Sequence, residues 1–406
     1  MALNGAIVRP ARSPGTDRPG FIVRAVLLCS APLMALMFTA VAPVLPGLMQ
    51  AVGRSRDPAL LAQLIMTMPS IGVIVGGAPA GWLAERFGPR TVLTAALLLY
   101  AFAGASGCVI VDADTFLMVR LLLGVAASAV ATATLAIVGD LFDVDGRSRM
   151  LSYQGASGSA AGFVTLLLSG TLAEHFGWRA PFALYVVAIA LFFAAVLALP
   201  SRAARVNPVE DSSPDHGART APTSLWPMWP VYVLVCVVFV GVFMNAVQTS
   251  LLLAADGLTS PQTMSWILAT GALTSTAGAL SYRWLTVRAG PRGTFSLALL
   301  LMGAGFVLLG GPGGVWVRVV AVGVASLGAG CTGPFIAALV LEKAPPAVRG
   351  RAAGLMYSTI YLGDFLNPLA MTPLRLAFGI HGAFVAAGGL CLLGSVVAMV
   401  WRWRGR

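Results

Sequence analysis

Charge is scarce in this 406-residue chain: Asp, Glu, Lys and Arg make up 10% of it, against about 25% in soluble domains. That is too little polar surface to coat a water-soluble globule. Cysteine is scarce too. Cys29, Cys108, Cys236, Cys331 and Cys391 are odd in number, and all fall in apolar stretches without metal-ligand spacing. A disulfide framework and a metal site are therefore not expected. No Gly-x-x-x-x-Gly-Lys-[Ser/Thr] loop is present to couple ATP directly. The three histidines, His175, His216 and His381, lie in loops or at the edges of apolar runs with no nucleophile pattern beside them. No enzyme and no catalytic residue is expected.

What the chain has in abundance is apolar length. It is 58% hydrophobic with a mean hydropathy of +0.87, and runs of about 20 residues, enough to cross a hydrocarbon layer of roughly 30 Å, recur throughout. Twelve are read: 22–49, 60–80, 91–111, 115–139, 150–172, 180–199, 228–252, 263–285, 293–311, 315–340, 352–374 and 382–401. The first follows a basic arm but is too long for a signal peptide, and no convincing cleavage site precedes the second, so it is read as a retained helix. The expected organisation is an arm (1–21), a six-helix bundle (22–199), a linker (200–226), a second six-helix bundle (227–401) and a tail (402–406). The linker, rich in Pro, Ser and charge, has too little hydrophobicity to fold by itself. The fold class is thus an all-α membrane protein of twelve transmembrane helices in two pseudo-symmetric bundles.

The symmetry is written in the residues. GWLAERFGPR at 81–90 returns 202 residues later as RWLTVRAGPR at 283–292. The same step carries Phe176-Gly177 onto Phe378-Gly379, Phe182 onto Phe384, Asp140 onto Glu342, and Arg147 and Arg149 onto Arg349 and Arg351. Duplicated apolar halves are how many secondary transporters are built, with the working site between the halves.

Basic residues set the expected orientation. With both termini cytoplasmic, all but six of the 26 Lys and Arg fall at or near the cytoplasmic face. Arg54, Arg56, Arg179 and Arg375 lie outside, and Arg120 and Arg318 lie within spans. This bias also accounts for the net charge of +11, so no nucleic-acid partner is implied.

Three motifs carry a family resemblance. Gly81, Leu83, Ala84, Glu85, Arg86, Gly88 and Arg90 form a Gly-x-Leu-Ala-acid-Arg-x-Gly-x-Arg loop after the second span; Leu117, Arg120 and Gly124 place an Arg and a glycine in the fourth; Pro43 and Pro46 form a Pro-x-x-Pro in the first. With twelve spans in two halves, the whole chain resembles the major facilitator superfamily of secondary transporters, and the prolines resemble its twelve-span drug:proton antiporters. The resemblance implies the major facilitator fold, alternating access between the bundles and an inner-membrane location. It implies that the loop acts as a cytoplasmic gate; the plainer alternative is that Arg86 and Arg90 only set topology. Arg120, roughly 9 Å inside the outer boundary, is expected to face the central cavity in proton coupling, or else to snorkel outward. Pro43 and Pro46 remove backbone donors and permit a bend near the outer end of the first helix.

Coupling to protons needs a titratable group that both faces reach in turn. Of fifteen acids, Asp364 alone lies deep in a span, roughly 18 Å from the start of its helix. It shares a face with Tyr357 and Tyr361, and Asn367 follows one turn later. Its role is read as proton carrier, the alternative being a structural Asp bonded to a neighbouring helix. Further cavity candidates are Asn245 and Gln248 in the seventh span, Tyr153 and Gln154 in the fifth, and Trp266 in the eighth. For each polar residue, a bond joining two helices is the competing role. The expected function is proton-coupled export of a small amphipathic or drug-like molecule by a monomer in contact with membrane lipid, with no cofactor beyond the proton gradient. A carrier of a polar metabolite (sugar, amino acid or metal-chelating compound) is the alternative, and a lipid flippase or membrane receptor a more distant one.

Overall fold

The structure is a computed structural model that describes residues 20–51, 57–110, 112–142, 144–199, 225–345 and 349–400. The basic arm, Arg54, Arg56, the linker up to residue 224 and the tail lie outside the described residues. Twelve α-helices run in order: α1 (Phe21–Thr39), α2 (Leu45–Ala51), α3 (Pro58–Phe87), α4 (Pro89–Ala105), α5 (Ala113–Leu141), α6 (Val144–Phe176), α7 (Val187–Ala198), α8 (Trp229–Val247), α9 (Thr249–Ala255), α10 (Pro261–Gly310), α11 (Val315–Lys343) and α12 (Arg349–Val400).

Helices and membrane crossings do not correspond one to one. A 3₁₀ turn at Ala42–Val44 divides α1 from α2 within one crossing, and Gln248 divides α8 from α9 in another. Conversely α10 runs 50 residues, about 75 Å at 1.5 Å per residue, more than twice a bilayer core. It breaks at Gly290, φ 71°, and α12 breaks likewise at Gly379, φ 70°. Each therefore crosses twice, and twelve crossings result among the described residues.

The breaks follow the 202-residue repeat. Gly88 at φ 88° pairs with Gly290, and Gly177 at φ 86° pairs with Gly379. Only glycine adopts positive φ without a Cβ penalty, and Pro89 and Pro291 then open the next helix with φ already set. Even a surface detail is repeated: Arg86 lies 5.3 Å over the Trp82 ring and Arg288 lies 4.0 Å over Trp284.

Each half has its own apolar core, and the first also takes in Val247, Leu251, Leu268 and Ala269 of the second half. Tyr100, Phe182 and Tyr185 lie in the first and Phe306 and Phe384 in the second. Within each half two helices meet at glycine. A Cβ on Gly124 would stand 1.9 Å from the Pro69 carbonyl oxygen, and one on Gly330 1.9 Å from that of Ser275. Small residues at such crossings let backbones approach closely.

The end of the molecule where α7 finishes at Ala198 and α8 begins at Trp229 is the linker side, and the end carrying 105–110, 112–113, 176–180, 255–261 and 375–380 is the distal side. On the distal side the halves touch directly: Ser250 Oγ of α9 donates to Ala42 O of the first half at 2.7 Å, and Gly170 of α6 packs on Ser265 of α10. The α6 face that carries Gly170 becomes exposed at Ser159 and Gly155, and the α12 face that carries Asp364 becomes exposed at Tyr357. Both seams thus part toward the linker side.

Candidate functional site

Proline shapes the first half of the site by what it withholds. Pro69 has no N–H, so Ile65 O in α3 lacks its helical donor; Arg120 Nε supplies one at 3.0 Å. The break between α1 and α2 sends Val41 N to Phe38 O, leaving Met37 O free; Arg120 Nη2 reaches it at 2.5 Å, and Tyr185 OH at 3.2 Å. Arg120 Nη1 donates to Tyr185 OH at 2.9 Å. Pro32 and Pro46 free Leu28 O and Ala42 O in the same way, and these accept from Ser157 Oγ at 3.0 Å and Ser250 Oγ at 2.7 Å. The bend expected at Pro43 and Pro46 is present as a 3₁₀ turn at Ala42–Val44, whose Ala42 carbonyl is served by α9.

This corrects the expectation for Arg120. It is 1% exposed, and its hydrogen-bond partners Ile65, Met37 and Tyr185 all belong to the first half. It neither snorkels nor faces the opening between the halves; it ties α5 to α1 and α3 where the backbones of those two helices lack a donor. Arg318, the other Arg within a span, is also buried, pairs with Asp256 at 2.7 Å and donates to the terminal carbonyls of Leu309 and Gly311.

Between the halves lies a polar layer. Asp364 is the only buried Asp or Glu among the described residues. Its Oδ2 accepts from Ser70 Oγ of α3, in the opposite half, at 2.5 Å. Its Oδ1 has no hydrogen-bond partner among the described residues. Beside it a chain of amides crosses the seam. Gln63 Nε2 donates to Gln248 Oε1 at 2.6 Å, Gln248 Nε2 to Asn367 Oδ1 at 2.9 Å, and Asn367 Nδ2 to Val240 O at 2.8 Å. Asn245 donates to Ser326 Oγ at 2.9 Å. Gln63 Oε1 and Asn245 Oδ1 accept nothing among the described residues. Toward the linker side the layer meets a group of rings: Phe38 lies 6.5 Å from Tyr361 and 6.3 Å from Phe243.

The remaining expected residues divide. Tyr357 is exposed on the Asp364 face, at its open end. Gln154 is a helix tie, donating to Leu27 O at 2.7 Å. Trp266 is misplaced by the sequence reading. It is 55% exposed on a stripe with Leu273 and Leu280 while Met264, Ser265, Ile267 and Leu268 are buried, so it faces outward to lipid. Tyr153 lies on the exposed face of Val164, about half a turn from Gly162, and also points away from the seam. Gln63, Ser70 and Phe38 were missed, because each is an ordinary residue for a span and only its partner distinguishes it.

The expected gate loop joins α3 to α4 within the first half. Glu85 is exposed and without a hydrogen bond or ion pair among the described residues. Arg86 rests on Trp82 and Phe87, and Arg90 Nη2 donates to Val196 O of its own half at 2.6 Å. Gly81 is half-buried with open space around it, and Gly88 supplies the turn.

Two duplicated six-helix bundles, meeting on one side and parted on the other around a buried polar layer, define an integral membrane transporter rather than an enzyme. The sequence matches the Major Facilitator Superfamily over residues 27–256 and 231–406, and the chain belongs to that family. It is 30% identical over 173 residues to the puromycin resistance protein pur8 of Streptomyces alboniger, covering 42% of this chain and 34% of the relative. It is 29% identical over 198 residues to the arabinose-proton symporter of Bacillus subtilis, covering 45% and 40%. The chain thus spans well under half the length of these curated relatives. Among solved structures it resembles the xylose transporter XylE from E. coli, with a TM-score of 0.69 at 16% identity over 93% of this chain and 96% of that one.

Proposed function

We propose that this chain is a secondary active exporter in a bacterial plasma membrane. It would move a small amphipathic or drug-like molecule by alternating access, with the proton gradient as its energy source and no bound cofactor. The observation that carries this reading is Asp364: a wholly buried carboxylate, bonded by Ser70 across the seam, with one oxygen unpartnered and aromatic rings beside it. A proton arriving there would neutralise a charge that the opposite half holds, so occupancy and the packing of the two halves are linked. Phe38, Phe243 and Tyr361 supply an apolar wall. The partial likeness to a puromycin resistance protein supports export of such a solute. The expected unit is a monomer in lipid with both termini in the cytoplasm.

The amide chain Gln63–Gln248–Asn367 favours a second reading, a carrier of a polar metabolite, in keeping with the partial likeness to an arabinose-proton symporter. The test of the first reading is Asp364→Asn, which preserves shape and hydrogen bonding while removing titration. Proteoliposomes under an imposed pH gradient should accumulate a substrate identified by screening with the native protein, and should fail to do so with the variant. Exchange down the substrate's own gradient should persist. Undiminished accumulation by the variant would make Asp364 structural.

A further inference from the structure

On the distal side, at the water-facing ends of the helices, two charged contacts join the halves, and the repeat relates them. At the first, Asp57 caps the start of α3, its Oδ1 accepting from Leu60 N at 2.9 Å. Arg375, near the end of the first crossing of α12, donates to both oxygens of the same carboxylate, Nη2 lying 2.9 Å from Oδ2 and 3.3 Å from Oδ1. At the second, Ser260 caps the start of α10, accepting from Thr263 N at 3.3 Å. Glu174, near the end of α6, accepts from Ser260 Oγ at 2.9 Å and from Gln262 N at 3.4 Å.

Subtracting 202 from Ser260 gives position 58, next to Asp57, and subtracting it from Arg375 gives position 173, next to Glu174. Each contact therefore joins the start of the second crossing of one half to the end of the fifth crossing of the other. In each a carboxylate rests on the N-terminus of a helix, where the dipole favours it. At α3 the acid belongs to the helix itself and the partner half adds a guanidinium. At α10 the acid comes from the partner half. Both contacts break if the halves rock apart on this side.

We infer that Asp57–Arg375 and Glu174–Ser260 are a pair of symmetry-related latches that hold the distal side closed, opposing the Glu85 loop on the linker side. Each seam carries one latch, so the two contribute independently to the balance between the distal-closed and distal-open states.

The test uses the full chain in lipid nanodiscs with the native cysteines replaced. One spin-label pair sits at Val109→Cys and Trp316→Cys on the distal side, and another at Leu151→Cys and Leu355→Cys toward the linker side. Asp57→Asn removes the charge but keeps a good helix cap, and Glu174→Gln keeps length. Each should raise the distal-open to distal-closed ratio roughly two- to five-fold, as partly exposed charged contacts do. The double variant should approach the product of the two. Distal distances should lengthen while linker-side distances shorten. Unchanged distal distances in the double variant would overturn the inference, and so would distal lengthening with no linker-side response, since the contacts would then merely pin loops.

Discussion

Arg120 illustrates how a residue is defined by what its neighbours lack. Ile65 O is free because Pro69 has no N–H, and Met37 O because the first span breaks; one guanidinium serves both. Lysine cannot donate in three directions from a planar fork, so Arg120→Lys should lower stability by about 2 to 3 kcal/mol, the worth of a charged hydrogen bond to a buried acceptor. In a Pro69→Ala background the restored N–H serves Ile65 O, and the penalty should shrink measurably. Thermal unfolding of the four proteins in one detergent checks this, and strict additivity would refute the account. Half of this was legible beforehand, since any carbonyl four residues before a buried proline wants a donor. What sequence could not supply was which side chain reaches it, and so Arg120 was read as a cavity residue. Asp364, by contrast, was legible because a lone acid in an apolar run needs no partner to be noticed, whereas Ser70 and Gln63 are legible only from the other half.

Helices in this protein are limited by glycine in two distinct ways, and substitution should separate them. Gly290 needs positive φ but has open space around it, so Gly290→Ala should cost about 1 to 2 kcal/mol, the left-handed penalty alone. Gly124 is helical but its Cβ would enter the Pro69 carbonyl, and Gly124→Ala should cost about 3 kcal/mol or more by forcing α3 and α5 apart. Comparing unfolding temperatures of the two variants decides the order, and a milder effect at Gly124 would contradict the packing described. The breaks themselves were readable from the repeated Gly-Pro and Phe-Gly pairs. Which face of a helix meets lipid was not. Period 3.6 groups residues into stripes, but an apolar stripe looks alike whether it meets lipid or protein, and Trp266 was assigned to the wrong one.

At the scale of the whole molecule, orientation rests on the crowding of Lys and Arg at one end. With native cysteines removed, Val109→Cys should react with an impermeant maleimide applied to intact cells and Ser213→Cys should not; the reverse pattern would invert every assignment of side. The duplication made the twofold plan readable, yet the site departs from that plan. At the 202-residue offset Asp364 corresponds to Gly162 and Ser70 to Ala272, so where α12 and α3 pair a carboxylate with a hydroxyl, the equivalent positions of α6 and α10 hold only glycine and alanine. A change of charge at Asp364 therefore acts off the axis, like a force applied at one edge of a door. The seam between α3 and α12 is where such a force acts.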